Sequence, residues 1–286
     1  MRWTNNRSGN VDDRRGTGGG GGGGLLFGGG LGSLIIAAIV FFLGGDPSAL
    51  LSSGGPQVQQ TEQRELTAEE LKIREFVEML TYENEQTWDR VFADMGMQYE
   101  PAKVVLFEQV TQSGCGTAQA AMGPFYCPAD QTVYMDMSFF QELQQRFGAR
   151  VTEFSVAYVM AHEMGHHVQT LLGTTQKVDQ LRRSGRYSEA EMNRVSVATE
   201  LQADFYAGVW AKQTDNREHI LEPGDIDAAL SAAEAVGDDN IQRRAQGYVN
   251  QESFTHGSSA QRKEWFMKGY TTGDIRQGDT FDALLK

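Results

Sequence analysis

Residues 156–172 read VAYVMAHEMGHHVQTLL. On a helix, side chains four residues apart project from one face, one turn above another. His162 and His166 therefore present two imidazoles to a common point, and Glu163 stands beside the first of them. Ala157, Met160, Ala161, Met164 and Val168 supply an apolar surface that packs such a helix inward. Neutral imidazole nitrogens suit Zn2+, and a catalytic zinc keeps three protein ligands with the fourth position for water. Zinc lowers the pKa of that water to about 7, and a neighbouring carboxylate can take its proton and hand it to a leaving amine. The stretch predicts a zinc site built for peptide-bond hydrolysis, with Glu163 as the base.

A third ligand must come from elsewhere. The long metalloprotease signature would need Gly at 169 and His at 172, where this chain has Gln169 and Leu172. The alternative is a glutamate on a later helix. Residues 199–210 read TELQADFYAGVW, with Glu200 and Asp204 again four apart in an apolar, small-residue setting. Glu200 is the expected third ligand. Asp204 is the expected acceptor for the distal N–H of His162. Ala203, Ala207 and Gly208 would let this helix come close to the first. A hydrolase also needs a donor for the developing oxyanion. His256 and Arg262, in residues 255–262 (THGSSAQR), are candidates; equally, Ser258 or Ser259 caps a helix there and His256 is structural. His167 points away from the other two histidines, and His219 sits in a polar turn on the surface.

The chain has 286 residues, 40% of them hydrophobic, and a formal net charge of −13. An acidic chain of this kind lacks the clustered Lys and Arg that nucleic-acid binding requires. Its head is different: Arg2, Arg7, Arg14 and Arg15 against Asp12 and Asp13 make residues 1–30 net positive, and seven glycines follow at 18–24. Residues 31–43, LGSLIIAAIVFFL, are uncharged; counted from Leu25 the uncharged run is 19 residues long. About 20 such residues span a bilayer. Basic residues before an apolar run favour a cytoplasmic N-terminus. The expectation is a cytoplasmic basic and Gly-rich tail (1–30), a single transmembrane signal anchor (31–43, or from near 25), a linker (44–66) and an extracytoplasmic, periplasmic domain (67–286). A cleaved signal peptide fits less well, because the polar head is long and no A-x-A site follows Leu43. Cys115 and Cys127 are not in a CxxC pair. If the domain is exported they can form a disulfide.

Thr67 and Glu70 form a helix N-cap signature, and apolar spacing carries that helix to about Phe92. Residues 103–107 and 132–137 read as strands, and 113–130 as a loop. Helices are expected at 138–147, 152–172, 188–214, 225–247 and 258–269. This order of elements indicates α+β, mainly helical with a small β-sheet.

HEMGH followed 34 residues later by ELQAD resembles the putative neutral zinc metallopeptidase family of bacteria. The likeness extends to the Arg/Asp-rich head and Gly-rich tether, the apolar run, the GCG…GPFYCP segment (114–128) and the tail from Thr255 to Tyr270. More widely, HExxH with ExxxD resembles the gluzincins, especially small membrane-associated ones. The resemblance implies a zincin-like (minigluzincin) fold, zinc ligands His162, His166 and Glu200, Glu163 as base, Asp204 in support, and a peptide or protein substrate. In gluzincins a strand before the zinc helix forms the cleft edge, where substrate adds as an extended strand; residues 132–137 either have that role or are an ordinary core strand. Two other readings stay open: a zinc-stabilised binding or scaffold domain with little turnover, and a zinc hydrolase acting on a non-peptide amide.

Overall fold

The computed structural model describes residues 1–16, 64–119, 123–147 and 149–285. The glycine run, the apolar run 31–43 and most of the expected linker lie outside these residues. Among the described residues no helix is long and apolar enough to cross a membrane. In chain order the elements are β1 (Val11–Asp13), α1 (Ala68–Asp94), β2 (Lys103–Leu106), β3 (Val110–Ser113), β4 (Gly116–Gln119), β5 (Phe125–Cys127) and β6 (Thr132–Met135). Then follow α2 (Ser138–Phe147), α3 (Glu153–Leu171), α4 (Thr174–Ser184), α5 (Glu189–Glu218), α6 (Asp225–Ala235), α7 (Asp238–Gln246), α8 (Ser259–Thr272) and α9 (Thr280–Leu284). The class is α+β and mainly helical, as expected.

Local chemistry sets the helix starts. Thr67, Thr152, Ser188 and Ser258 each cap the first turn, reciprocated by Glu70, Ser155, Glu191 and Gln261. Ser258 therefore has the capping role considered for it. The stretch expected as one helix over 225–247 breaks at Gly237, where a Cβ would collide with the backbone of Ser259.

The main sheet runs β1-β2-β6-β5, with β1, β2 and β6 parallel and β5 antiparallel to β6. Alternate residues face opposite sides. Val104, Leu106, Val133 and Met135 join the helical core, while Val105, Phe107 and Tyr134 face away with Phe125 and Cys127. A largely parallel sheet needs cover on both faces. The β3–β4 hairpin contributes Ala118 and Cys115 to the second face, and a Cys115–Cys127 disulfide ties it to β5. The expected loop at 113–130 thus holds most of a hairpin and the edge strand β5.

The head packs on the rest of the described residues: β1 pairs with β2, and Trp3 stacks on Phe76 of α1 at 5.0 Å. The segment is polar and short, so its pattern alone shows no strand; the open edge of β2 provides its partner.

Candidate metal centre

The centre lies where α3 and α5 cross. Gly165 faces Ala203, and a Cβ there would sit 3.0 Å from the Ala203 carbonyl oxygen. Gly208, expected to serve this approach, instead lies against Phe266 of α8. His162 Nε2 is 3.2 Å from Glu200 Oε2, and His166 Nε2 is 3.5 Å from Glu200 Oε1. Donors about 2.1 Å from a tetrahedral ion stand about 3.4 Å apart. The donor atoms of His162, His166 and Glu200 all fall within 4.8 Å of one another. Two imidazoles and one carboxylate are also the donor set that zinc accepts, so residues and spacing fit the ion.

Each histidine is oriented through its other nitrogen. His162 Nδ1 lies 2.8 Å from Asp204 Oδ1, the pairing expected from the sequence. His166 Nδ1 lies 2.9 Å from Gln169 Oε1, and the Gln169 amide donates to the Thr199 carbonyl at 2.7 Å and to Gln202 at 3.1 Å. These contacts leave both Nε2 atoms facing the common point. Gln169 occupies the position at which the longer signature fails, and here it orients His166.

Asp204 is fully buried and heavily engaged. Tyr158 donates to Oδ1 at 2.6 Å, while Arg262 donates to Oδ2 at 2.8 Å and to Oδ1 at 3.0 Å. Burial alone would raise the Asp204 carboxyl; Arg262 and His162 override it and hold it at about 2. Arg262 is itself 4% exposed, and its guanidinium is committed to this carboxylate. It therefore holds Asp204, the carboxylate that contacts His162. Burial opposes a charge on Glu200 too, but His166 and His162 keep it well below the usual carboxylate range. Burial likewise disfavours an imidazolium at His162, yet Asp204 and Glu200 raise it to about 10.

Glu163 follows the opposite rule. Its burial raises the carboxyl, partly offset by His162, His166 and the nearby Tyr126 backbone. Tyr126 belongs to β5, so the edge of the sheet reaches the candidate base. Of the two roles left open for residues 132–137, β6 has that of an inner strand, flanked by β2 and β5.

His256 sits in the turn before α8. Its Nδ1 is 3.1 Å from Asp238 Oδ1, and Asp238 Oδ2 accepts the backbone N–H groups of Thr255, His256 and Gly257. Its Nε2 is buried and has no hydrogen-bond partner among the described residues. His256 and Glu200 are close enough that each perturbs the other's proton affinity. His167 is structural: it is buried between the Tyr126 hydroxyl, 3.0 Å from Nδ1, and the Glu100 carbonyl, 2.6 Å from Nε2. His219 is exposed and ends α5 in a left-handed conformation.

The chain matches the family described as "Putative neutral zinc metallopeptidase" over residues 1–281. The chain belongs to that family. Among its relatives is "Uncharacterized protein YpfJ" of Escherichia coli (strain K12), 44% identical over 232 residues, covering 81% of this chain and 79% of that protein. Another is "Uncharacterized protein Rv2575" of Mycobacterium tuberculosis (strain H37Rv), 46% identical over 204 residues, covering 68% and 67%. No solved structure matches the chain. The family match spans the head as well as the His162, His166 and Glu200 cluster. Tyr158, Gln169 and Asp238 escaped the sequence reading, and Arg262 was singled out there for the oxyanion rather than for its contact with Asp204. A buried-type polar residue within an otherwise apolar helix is the one signal that points to Gln169 and Tyr158.

Proposed function

We propose that this protein is a zinc-dependent peptidase that hydrolyses peptide bonds in polypeptides. The observation that carries the reading is Glu163, buried beside a three-donor cluster whose spacing fits one ion. His162, His166 and Glu200 would hold the zinc. When bound, it supplies Lewis-acid activation of water and of the scissile carbonyl.

The remaining chemistry belongs to the chain. Glu163 takes a proton from the attacking water and returns it to the leaving amine; burial raises its proton affinity toward that task. The unpartnered Nε2 of His256, held by Asp238, donates to the developing oxyanion. Among the described residues β5 is an edge strand of the sheet, beside Glu163, where a substrate backbone can add as an extended strand. Asp204, Gln169 and Arg262 keep the histidines aligned. The Cys115–Cys127 disulfide supports work in an oxidising compartment outside the cytoplasm, at a membrane through the apolar run 31–43.

A peptide-library digest tests the proposal. Wild-type protein loaded with one zinc should cleave, and Glu163→Gln should retain the zinc while losing at least about 100-fold in kcat. Chelation should abolish cleavage and zinc should restore it. A loaded wild-type protein that cleaves no peptide would favour the scaffold reading.

A further inference from the structure

The first sixteen residues belong to the same folded body as the metal centre. β1 runs parallel to β2 in the register Val11–Val104, Asp12–Val105 and Asp13–Leu106. The Arg2 N–H donates to the Ile220 carbonyl at 2.8 Å. Thr4 and Ser8 donate to Glu83 and Glu85 of α1, each at 2.7 Å. Arg15 is 5% exposed and binds both Asp13 and the Glu70 carbonyl. These contacts tie the head to the sheet, to α1 and to the turn after α5.

The described residues on either side of the stretch 17–63 lie together. The Arg64 N–H donates to the Gly16 carbonyl at 2.9 Å, so these flanking residues meet at the β1 edge of the sheet. The stretch contains the uncharged run 25–43, long enough to reach across a bilayer. One passage through a bilayer would put residues 1–16 and 64–285 in different compartments. A strand cannot pair with its neighbour through a hydrocarbon layer, and the Trp3–Phe76 stack would also be lost.

We propose that this protein meets a lipid bilayer at the Gly16–Arg64 juncture, from one side only, so that its head and its metal centre occupy the same compartment. This replaces the expected single pass with a cytoplasmic N-terminus. In the sheet order, β1 lies at one edge and β5, beside Glu163, at the other. The proposal goes beyond the peptidase reading and does not depend on bound zinc.

Single cysteines introduced into the full-length chain at exposed positions, Asn5→Cys and Ala245→Cys, test it in sealed native membrane vesicles of both orientations. The native cysteines are in a disulfide and do not compete. A membrane-impermeant maleimide should label both positions in the same vesicle orientation. Labelling in opposite orientations would overturn the proposal, as would recovery of the whole chain in the soluble fraction. Docking of the head has its own readout: Trp3→Ala should lower the melting temperature of the detergent-solubilised protein. An unchanged melting temperature would show that the head is not part of the folded body.

Discussion

Arg262 carries two hydrogen bonds to one buried carboxylate, and that carboxylate aligns His162. Lysine keeps the charge but lacks the planar fork. Arg262→Lys should weaken zinc binding by about 10-fold or more, as is usual when a ligand's supporting partner is lost. Competition with a chromogenic chelator measures this; an unchanged affinity would remove Arg262 from its positioning role. The proton at His162 makes a second prediction. With the folded value raised from 6.5 to about 10, protonation stabilises the metal-free protein fully below pH 6.5, and that stability is lost as pH rises through about 10. Zinc requires the neutral imidazole, so loading near neutral pH should release about one proton. Calorimetric titration in buffers of different ionisation enthalpy counts it, and zero release would contradict the assignment.

Helix contacts decide whether those residues meet. α8 brings Arg262 to Asp204 because α5 and α8 approach with almost no side chain between them. Gly269 faces the Phe205 carbonyl and Gly208 faces the Phe266 carbonyl, each too close for a Cβ. Gly269→Ala should therefore destabilise the protein by about 1–3 kcal/mol through overpacking, measured by denaturant unfolding, despite alanine's better helix propensity. The sequence shows small residues on α5, but not which neighbour each serves: Ala203 meets the zinc helix, whereas Gly208 meets α8. Helices that carry their own caps and apolar spacing, such as α1, α3 and α5, are legible because those signals are local. β5 and the hairpin are not, because their short, mixed sequences become strands only against β6 and the exposed sheet face.

At the scale of the whole molecule, the Cys115–Cys127 bridge holds the hairpin over that second face and ends in the strand that contacts Glu163. Its closed loop is short, with a sequence separation of 12, so replacing both cysteines with serine should cost about 3 kcal/mol. Thermal unfolding with and without reductant checks this: the double variant should match the reduced wild type, and a wild type insensitive to reductant would refute the bridge's role.

By itself the sequence singled out the candidate ligands His162, His166 and Glu200 and the candidate base Glu163. A helix fixes the direction of residues four apart, so His162 with His166, and Glu200 with Asp204, are paired by local geometry wherever the helices lie. It also marked His256 as a candidate, though not which of its nitrogens would be left without a partner. Only the tertiary structure decided what lies behind the ligands and where the head belongs. Arg262 reaches Asp204 from 58 residues away, and β1 reaches β2 from across α1 and the whole stretch 17–63. Such contacts depend on which surfaces have open hydrogen bonds and room to receive a partner, and no periodicity within either segment records that.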